Sequence, residues 1–172
     1  VLDTSTTTLT ITDNSKNVRY YSKLSGTPTS DILGGWYLSS ISDSIGNKIV
    51  FGFDGGPRPT KISLEPVGKD PIDFLTIAYN SNYLPYIIWN ETAKEAMIFR
   101  YSSTYNGSIS TSSTTYLRKI EYAHSNTALT LSDWKSFYNN SANNTNITVD
   151  ATAEYTYDAN GHLTKAKDTL SG

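Results

Sequence analysis

Apolar and polar residues alternate one by one along most of this chain, and each alternating run is cut short by a cluster of Asp, Asn and Gly. From Thr7 to Thr12, Leu9 and Ile11 fall on one side and threonines on the other. Side chains of an extended strand point to opposite faces in turn, so a period of two predicts a sheet with one apolar face. Ile49 to Phe53, Leu75 to Tyr79, Met97 to Tyr101, Tyr116 to Tyr122 and Ala153 to Tyr157 follow the same pattern. Turn formers separate them: Asp43 to Asn47, Asp54 to Pro57, Asn80 to Asn82, Tyr105 to Ser108 and Asp158 to Gly161. Asn and Gly accept positive φ, and an Asp carboxylate accepts hydrogen bonds from the turn backbone. Strands joined by such short links pair as antiparallel hairpins. One segment departs from the period. Ser132 to Tyr138 predicts a short helix capped by Ser132, with Asp133 in the first turn and Trp134, Phe137 and Tyr138 on one face. Asn139 to Thr148, rich in Asn, Ser and Thr, predicts an exposed loop.

The alternation carries an internal repeat. Phe51-Gly52-Phe53-Asp54 and Tyr155-Thr156-Tyr157-Asp158 align, and the stretches that follow, Arg58 to Ile62 and His162 to Ala166, align without a gap. Weaker copies start at Ile77, Phe99 and Ile120, placing Tyr79, Tyr101 and Tyr122 at the second aromatic position. In each unit an apolar-x-aromatic ending puts both side chains on one face, and Asp or Asn then turns the chain. One hairpin cannot bury that face alone, whereas stacked neighbours can. The predicted fold is therefore all-β: antiparallel hairpin repeats forming a curved sheet ribbon or an open β-sandwich. Residues 1–34 are predicted to lead into the sheet as N-terminal strands. The first of these is either the sheet's own edge or a strand added to a neighbour's sheet. Residues 35–172 hold the degenerate repeats, with an insertion near 124–150.

At these residues the chain resembles the YD-repeat, or RHS-repeat, proteins. The segment from Tyr155 to Lys165 is similar to the family's Y-x-Y-D-x-x-G-x-L core, with Asp158 and Gly161 in place. Gly35 to Asp54, which contains Trp36, Tyr37, Phe51 and Phe53, is similar to a W-Y-L-x-x-I-x-D-x-x-G-N-x-I-x-F-x-Y-D block of many bacterial members. Pro57 and Tyr83 stand where the repeat has Gly, and residues 1–34 have no counterpart. The resemblance implies a spiralling sheet that serves as a shell or adhesive surface. It also implies that Trp36, Tyr37, Phe51, Phe53, Asp54, Tyr79, Tyr101, Tyr122, Tyr155, Tyr157, Asp158 and Gly161 are structural repeat positions.

Composition narrows the function. There is no cysteine, so disulfides and thiolate metal sites are excluded. Net charge is −2 and no basic patch stands out, so nucleic acid is not an expected partner. Apolar stretches such as Tyr86 to Trp89 are far too short to span a bilayer. His124 and His162 lack zinc spacing and are expected in surface turns or at strand starts. Ser132 to Lys135 matches S-x-x-K without its partner motifs, and Asp158 to Gly161 lacks the later ligands of a calcium loop. No catalytic, metal or cofactor site is expected. The abundance of Ser, Thr, Asn and Tyr points to an extracellular or cell-surface location. Five sequons, at Asn90, Asn106, Asn139, Asn143 and Asn146, would accept N-glycans in a suitable host. The chain starts at Val1 and reads as processed or excised. The expected role is that of a non-catalytic scaffold whose partners are protein neighbours or the rest of a larger repeat protein. Two alternatives stand beside it: a carbohydrate-binding sandwich using Trp36, Trp89 or Trp134, and a filament subunit joined by strand addition.

Overall fold

The computed structural model describes residues 8–23, 35–54, 58–90, 92, 94–110, 115–143 and 145–170. Its strands are β1 (Thr8–Thr12), β2 (Val18–Lys23), β3 (Trp36–Ser42), β4 (Lys48–Phe53), β5 (Pro59–Glu65), β6 (Ile72–Tyr79), β7 (Pro85–Asn90), β8 (Glu95–Ser102), β9 (Tyr116–Ser125), β10 (Ile147–Tyr157) and β11 (Leu163–Leu170). They form one open antiparallel sheet in which hydrogen-bonded order equals sequence order. The all-β expectation holds, as one sheet and not as a two-sheet sandwich. One helix, α1 (Leu131–Asn139), interrupts the strands. The chain divides into two compact units, residues 1–76 and 77–172.

The hairpins rest on one turn chemistry used repeatedly. At Asp13, the backbone N–H donates to Asn17 O at 3.0 Å, and Lys16 N–H returns a bond to Asp13 O at 3.0 Å. The Asp13 carboxylate then accepts from the N–H groups of Ser15 and Asn17 through Oδ1, and from the Asn17 amide through Oδ2. Asp43 repeats every one of these bonds with Gly46, Ile45 and Asn47. Asp158 repeats them with Gly161, Asn160 and His162. The fourth residue of each loop has positive φ: Lys16 at 62°, Gly46 at 97° and Gly161 at 81°. That is a type I turn followed by one left-handed residue, which matches the twist of the flanking strands. Gly161 is also sterically required, because a Cβ there would lie 2.7 Å from the Tyr116 hydroxyl. Asp13 falls in the region that has no repeat counterpart in sequence, so the turn pattern reaches further than the aromatic pattern does.

In residues 1–76 the Asp13 and Asp43 turns close the pairings β1–β2 and β3–β4, and the register stays aligned across six strands. Ile11, Arg19, Ile41, Ile49, Leu64 and Ile72 stand directly opposite one another across six strands. The ladder beside it, on the other face, is Thr10, Tyr20, Ser40, Val50, Ser63 and Asp73. One face is thus apolar apart from Arg19 and the other largely polar, as period two demands. Small β-bulges adjust the pairing, one at Ser39, whose hydroxyl donates to Tyr20 O at 3.0 Å. Among the described residues of this unit no hydrophobic side chain is buried. Ile11, Ile49 and Ile72 keep 45 %, 39 % and 46 % of their surface exposed.

Residues 77–172 solve the same problem differently, by laying α1 over the sheet. Trp89, Ala96, Ala123 and Val149 form one ladder, and Ile87, Ile98 and Glu121 form another on the same face. Trp134, Phe137 and Tyr138 project from α1 at i, i+3 and i+4 and join Ile87, Trp89, Ala96, Ile98, Ala123, Leu129 and Ile147 in one core. The N-cap is Thr130, and not Ser132 as the sequence predicts. Thr130 and Asp133 form a reciprocal capping box, the Asp133 carboxylate accepting from Thr130 N–H at 2.8 Å. Asp133 is the third residue past Thr130, which is the spacing the box needs. The predicted insertion near 124–150 is narrower in the structure. β9 runs on to Ser125 and β10 begins at Ile147, with the 3₁₀ turn Ser141–Asn143 between helix and strand.

Two outcomes test this account. Trp134→Ala should cost about 3–5 kcal/mol, whereas Phe53→Ala should cost about 1–2 kcal/mol because its ring is only half-buried; urea unfolding of each variant measures both. The second concerns acid. Hydrogen bonds from the Asn17 and Asn47 amides, and from His162 N–H, hold the Asp13, Asp43 and Asp158 carboxyls below their ordinary value of 3.8. These groups stay ionised to lower pH folded than unfolded. Their contribution to stability is full above the unfolded value and disappears as pH falls through the folded ones. The melting temperature should hold steady in mild acid and drop below about pH 4, and the combined Asp13→Asn, Asp43→Asn and Asp158→Asn variant should show a flatter acid limb.

Candidate functional site

The structure distributes the expected repeat residues among several roles. Phe53 and Tyr37 touch, with ring centroids 5.9 Å apart. Trp36 and Phe51 lie half-buried in β3 and β4, and Asp54 pairs with Arg58 at 2.6 Å. Tyr157 donates to Leu117 O at 2.8 Å and meets Tyr116 edge-on at 5.2 Å. Asp158 and Gly161 build the last turn, as described. Tyr79 is half-buried, and Tyr101 is buried with its hydroxyl on Pro85 O at 2.8 Å. Burial pushes the Tyr101 phenol up to about 12.

Tyr122 does not behave as a repeat position. It sits inside β9, three residues before the strand ends, in the ladder Met97, Tyr122, Ala151 on the face away from α1. It is 40 % exposed. Tyr155, half-buried, continues that face along β10. After Tyr101 the strand likewise runs on through Ser102, and the turn closes later, between Thr104 and Gly107. The Asx-turn follows the aromatic at Tyr79 and Tyr157 and is absent at Tyr101 and Tyr122. A shared aromatic spacing is weaker than a shared turn, because alternation alone recurs in any half-buried strand.

Other expected sites fall where their chemistry is structural. Trp89 and Trp134 are buried in the α1 core, so neither offers a flat platform to a sugar ring. His124 lies near the end of β9, not in a turn, and pairs with Asp150 at 2.8 Å, where β10 bulges. His162 belongs to the Asp158 turn. Asn106, Asn139 and Asn146 are exposed and Asn90 is partly buried, while the Asn143 side chain lies outside the described residues. β1 pairs with β2, so Thr8–Thr12 is the sheet's own strand; residues 1–7 lie outside the described residues. Among the described residues no helix is long and apolar enough to cross a membrane.

Two polar features in residues 77–172 were invisible in the sequence. The first is an ion-pair network beneath α1. Arg100 Nε donates to Glu121 at 2.6 Å, its Nη1 donates to Tyr138 O at 2.8 Å, and Lys119 pairs with the second Glu121 oxygen at 3.1 Å. Arg100 also lies 5.4 Å from the Tyr138 ring centroid. Glu121 is buried, so the network is needed to keep its charge satisfied. It ties the last turn of the helix to two strands.

The second is a cavity of about 190 Å³ where the β6–β7 turn meets the last turn of α1. Tyr79, Asn80, Tyr86, Lys135, Tyr138 and Asn139 line it. The Tyr86 and Tyr138 rings are 4.9 Å apart and tilted. Two of the lining residues carry buried polar atoms without a hydrogen-bond partner, Asn80 Nδ2 and the Tyr138 hydroxyl. Burial pushes the Tyr138 phenol up, and Arg100 offsets part of that, so it is a neutral donor at physiological pH. The signal in the sequence was small: Asn80 stands where the other turns have Asp. A larger depression, about 430 Å³, in residues 1–76 is lined by Ile41, Ile49, Leu64, Asp43, Asn47 and Glu65.

An unpaired buried hydroxyl costs about 1–3 kcal/mol against a satisfied one. Tyr138→Phe should therefore leave the free protein as stable as the parent or raise its stability by about 1 kcal/mol. Thermal and urea unfolding measure this, and a loss above that size would mean the hydroxyl has a partner.

A scan against protein-family models finds no match for the chain, and a search of curated proteins finds none either.

Proposed function

We propose that this chain is a non-catalytic scaffold module, akin to YD or RHS repeats, that forms part of a larger extracellular or cell-surface protein assembly. The observation that carries this reading is the ladder Ile11, Arg19, Ile41, Ile49, Leu64 and Ile72, apolar at every position but Arg19. The apolar members share one face across the strands and none is buried: Ile11, Ile49 and Ile72 are exposed, and Ile41 and Leu64 are partly buried. A sheet normally covers its apolar face with a second layer. An apolar face left partly exposed, from Ile41 to Ile72, is the kind of surface that protein contacts cover. The terminal strand β11 points the same way by contrast. It carries Lys165, Lys167 and Asp168, charges that discourage edge-to-edge strand addition. The contact surface is then the face and not that edge. Hairpins in strict sequence order support the role, since each unit needs only its neighbour.

Size in native material tests the proposal. The protein from its source should run in a species well above the 19.0 kDa of this chain. Ile49→Lys combined with Ile72→Lys should leave the melting temperature of the isolated chain nearly unchanged and abolish that larger species. A native protein that runs as a lone monomer of this mass, or an assembly indifferent to both lysines, would sink the reading.

A further inference from the structure

We infer that this chain pairs with a second copy of itself along the outer edge of β1, as a two-fold antiparallel dimer centred on Thr10. The site lies wholly within residues 1–76, and the pairing is a property of the isolated chain that does not depend on the scaffold role.

β1 stands at one end of the sheet, and among the described residues β2 is its only strand neighbour. The Asp13 turn fixes which backbone groups of β1 are used. Asp13 N–H donates to Asn17 O, so these two residues form a hydrogen-bonded pair. Pairs along an antiparallel ladder alternate between bonded and non-bonded. From Thr12 opposite Val18 to Thr8 opposite Ser22 the pairing runs without a bulge. Ile11 and Leu9 therefore bond to β2, while Thr8, Thr10 and Thr12 aim their N–H and C=O groups outward. Edges of this kind are normally blunted by charge, by proline or by a bulge. Thr8–Thr12 has none of the three. β11, at the other end of the sheet, carries Lys165, Lys167 and Asp168, and its pairing is bulged at Thr164.

The sequence of the edge selects a second copy as the occupant. Thr8-Leu9-Thr10-Ile11-Thr12 reads threonine, aliphatic, threonine, aliphatic, threonine in either direction. Turned about an axis through Thr10 and perpendicular to the sheet, the strand matches itself. Thr10 then faces Thr10, Thr8 faces Thr12, and Leu9 faces Ile11 of the second copy. The threonine pairs are the bonded ones, and their outward N–H and C=O groups satisfy one another. Leu9 and Ile11 fall in the non-bonded pairs, where side chains approach most closely. Threonine pairs on one face and aliphatic pairs on the other are both favourable across strands. Leu9 is partly buried and Ile11 is 45 % exposed, so the contact removes apolar surface that β2 alone leaves in water. The alternation keeps its phase across the axis, so the apolar face of one copy runs on into that of the other. Sliding the second copy until Thr12 faces Thr12 would set Asp13, whose carboxylate serves the turn, opposite Ile11. β1 keeps its place in its own sheet, which distinguishes this contact from a donated strand. An edge of this length buries less than the roughly 1,200–2,000 Å² of a standard interface, so the dimer is weak and depends on concentration.

The test is sedimentation equilibrium of the whole chain from roughly 10 µM to roughly 1 mM, where the mean mass should rise from 19.0 kDa toward twice that value. Thr10→Lys and Thr10→Glu each set like charges face to face on the axis and should weaken self-association about tenfold. An equal mixture of the two variants should recover it, because Lys then faces Glu. Thr10 is exposed and its N–H does not serve β2, so each variant should melt like the parent. Thr169→Lys, on β11, should leave the dimer intact. If a Thr10 variant does not fold, Thr8→Lys with Thr12→Lys against Thr8→Glu with Thr12→Glu repeats the comparison at the flanking pairs. A chain that stays monomeric at the highest concentration would overturn the inference. So would self-association indifferent to the β1 charges, or folded variants whose mixture does not recover it. Loss of the dimer in Thr169→Lys would move the contact to the opposite edge and overturn it as well.

Discussion

One side-chain oxygen accepting two backbone N–H groups inside a five-residue loop is the contact on which this structure depends. At Asp13, Asp43, Asn80 and Asp158 it fixes where a strand stops and how the next one returns. It also forces the fourth loop residue into the left-handed region. A two-stranded pairing that slips by one residue moves every side chain to the opposite face. The turn is what prevents the slip. In the ladder from Ile11 to Ile72 the pairings β1–β2 and β3–β4 are set this way, and bulges adjust others.

The two units share that local grammar and differ in what covers the sheet. In residues 77–172, α1 places Trp134 in the core and brings Phe137 and Tyr138 with it. The Arg100–Glu121 pair then links helix and strands through a buried charge network, which trades desolvation for a defined docking position. In residues 1–76 the ladder has the same alternation and none of its members is buried. Apolar burial contributes about 25 cal/mol per Å². A half-exposed isoleucine therefore delivers only part of its stabilising potential. The difference between the units is where the scaffold reading originates. The fold is well formed without the remaining burial, and a neighbouring surface can supply it.

Much of the fold was legible in advance because strands and hairpin turns are decided within a few residues. Alternation at Ile49 to Phe53 and Leu75 to Tyr79, and the Asp or Asn after Phe53, Tyr79 and Tyr157, located real strand ends. The same aromatic spacing misled at Tyr101 and Tyr122, where no side-chain acceptor follows and the strands run on. The helix was visible from the spacing of Trp134, Phe137 and Tyr138. Its cap was misplaced by two residues because Ser132 and Thr130 are both competent, and only the reach of Asp133 back to Thr130 separates them. The Asp13 turn lies outside the aromatic repeat, although Asp13 to Asn17 and Asp43 to Asn47 share their first and last residues.

By itself the sequence determined the strand grammar, the antiparallel class and the position of the helix, because side-chain alternation, turn hydrogen bonds and capping act over a handful of adjacent residues. Tertiary structure alone decided which tryptophans are buried, that Arg100 meets Glu121 beneath Tyr138, and that Asn80 and Tyr138, far apart in the chain, share a cavity. Those facts depend on how a helix seats on a sheet, and no local spacing encodes that distance.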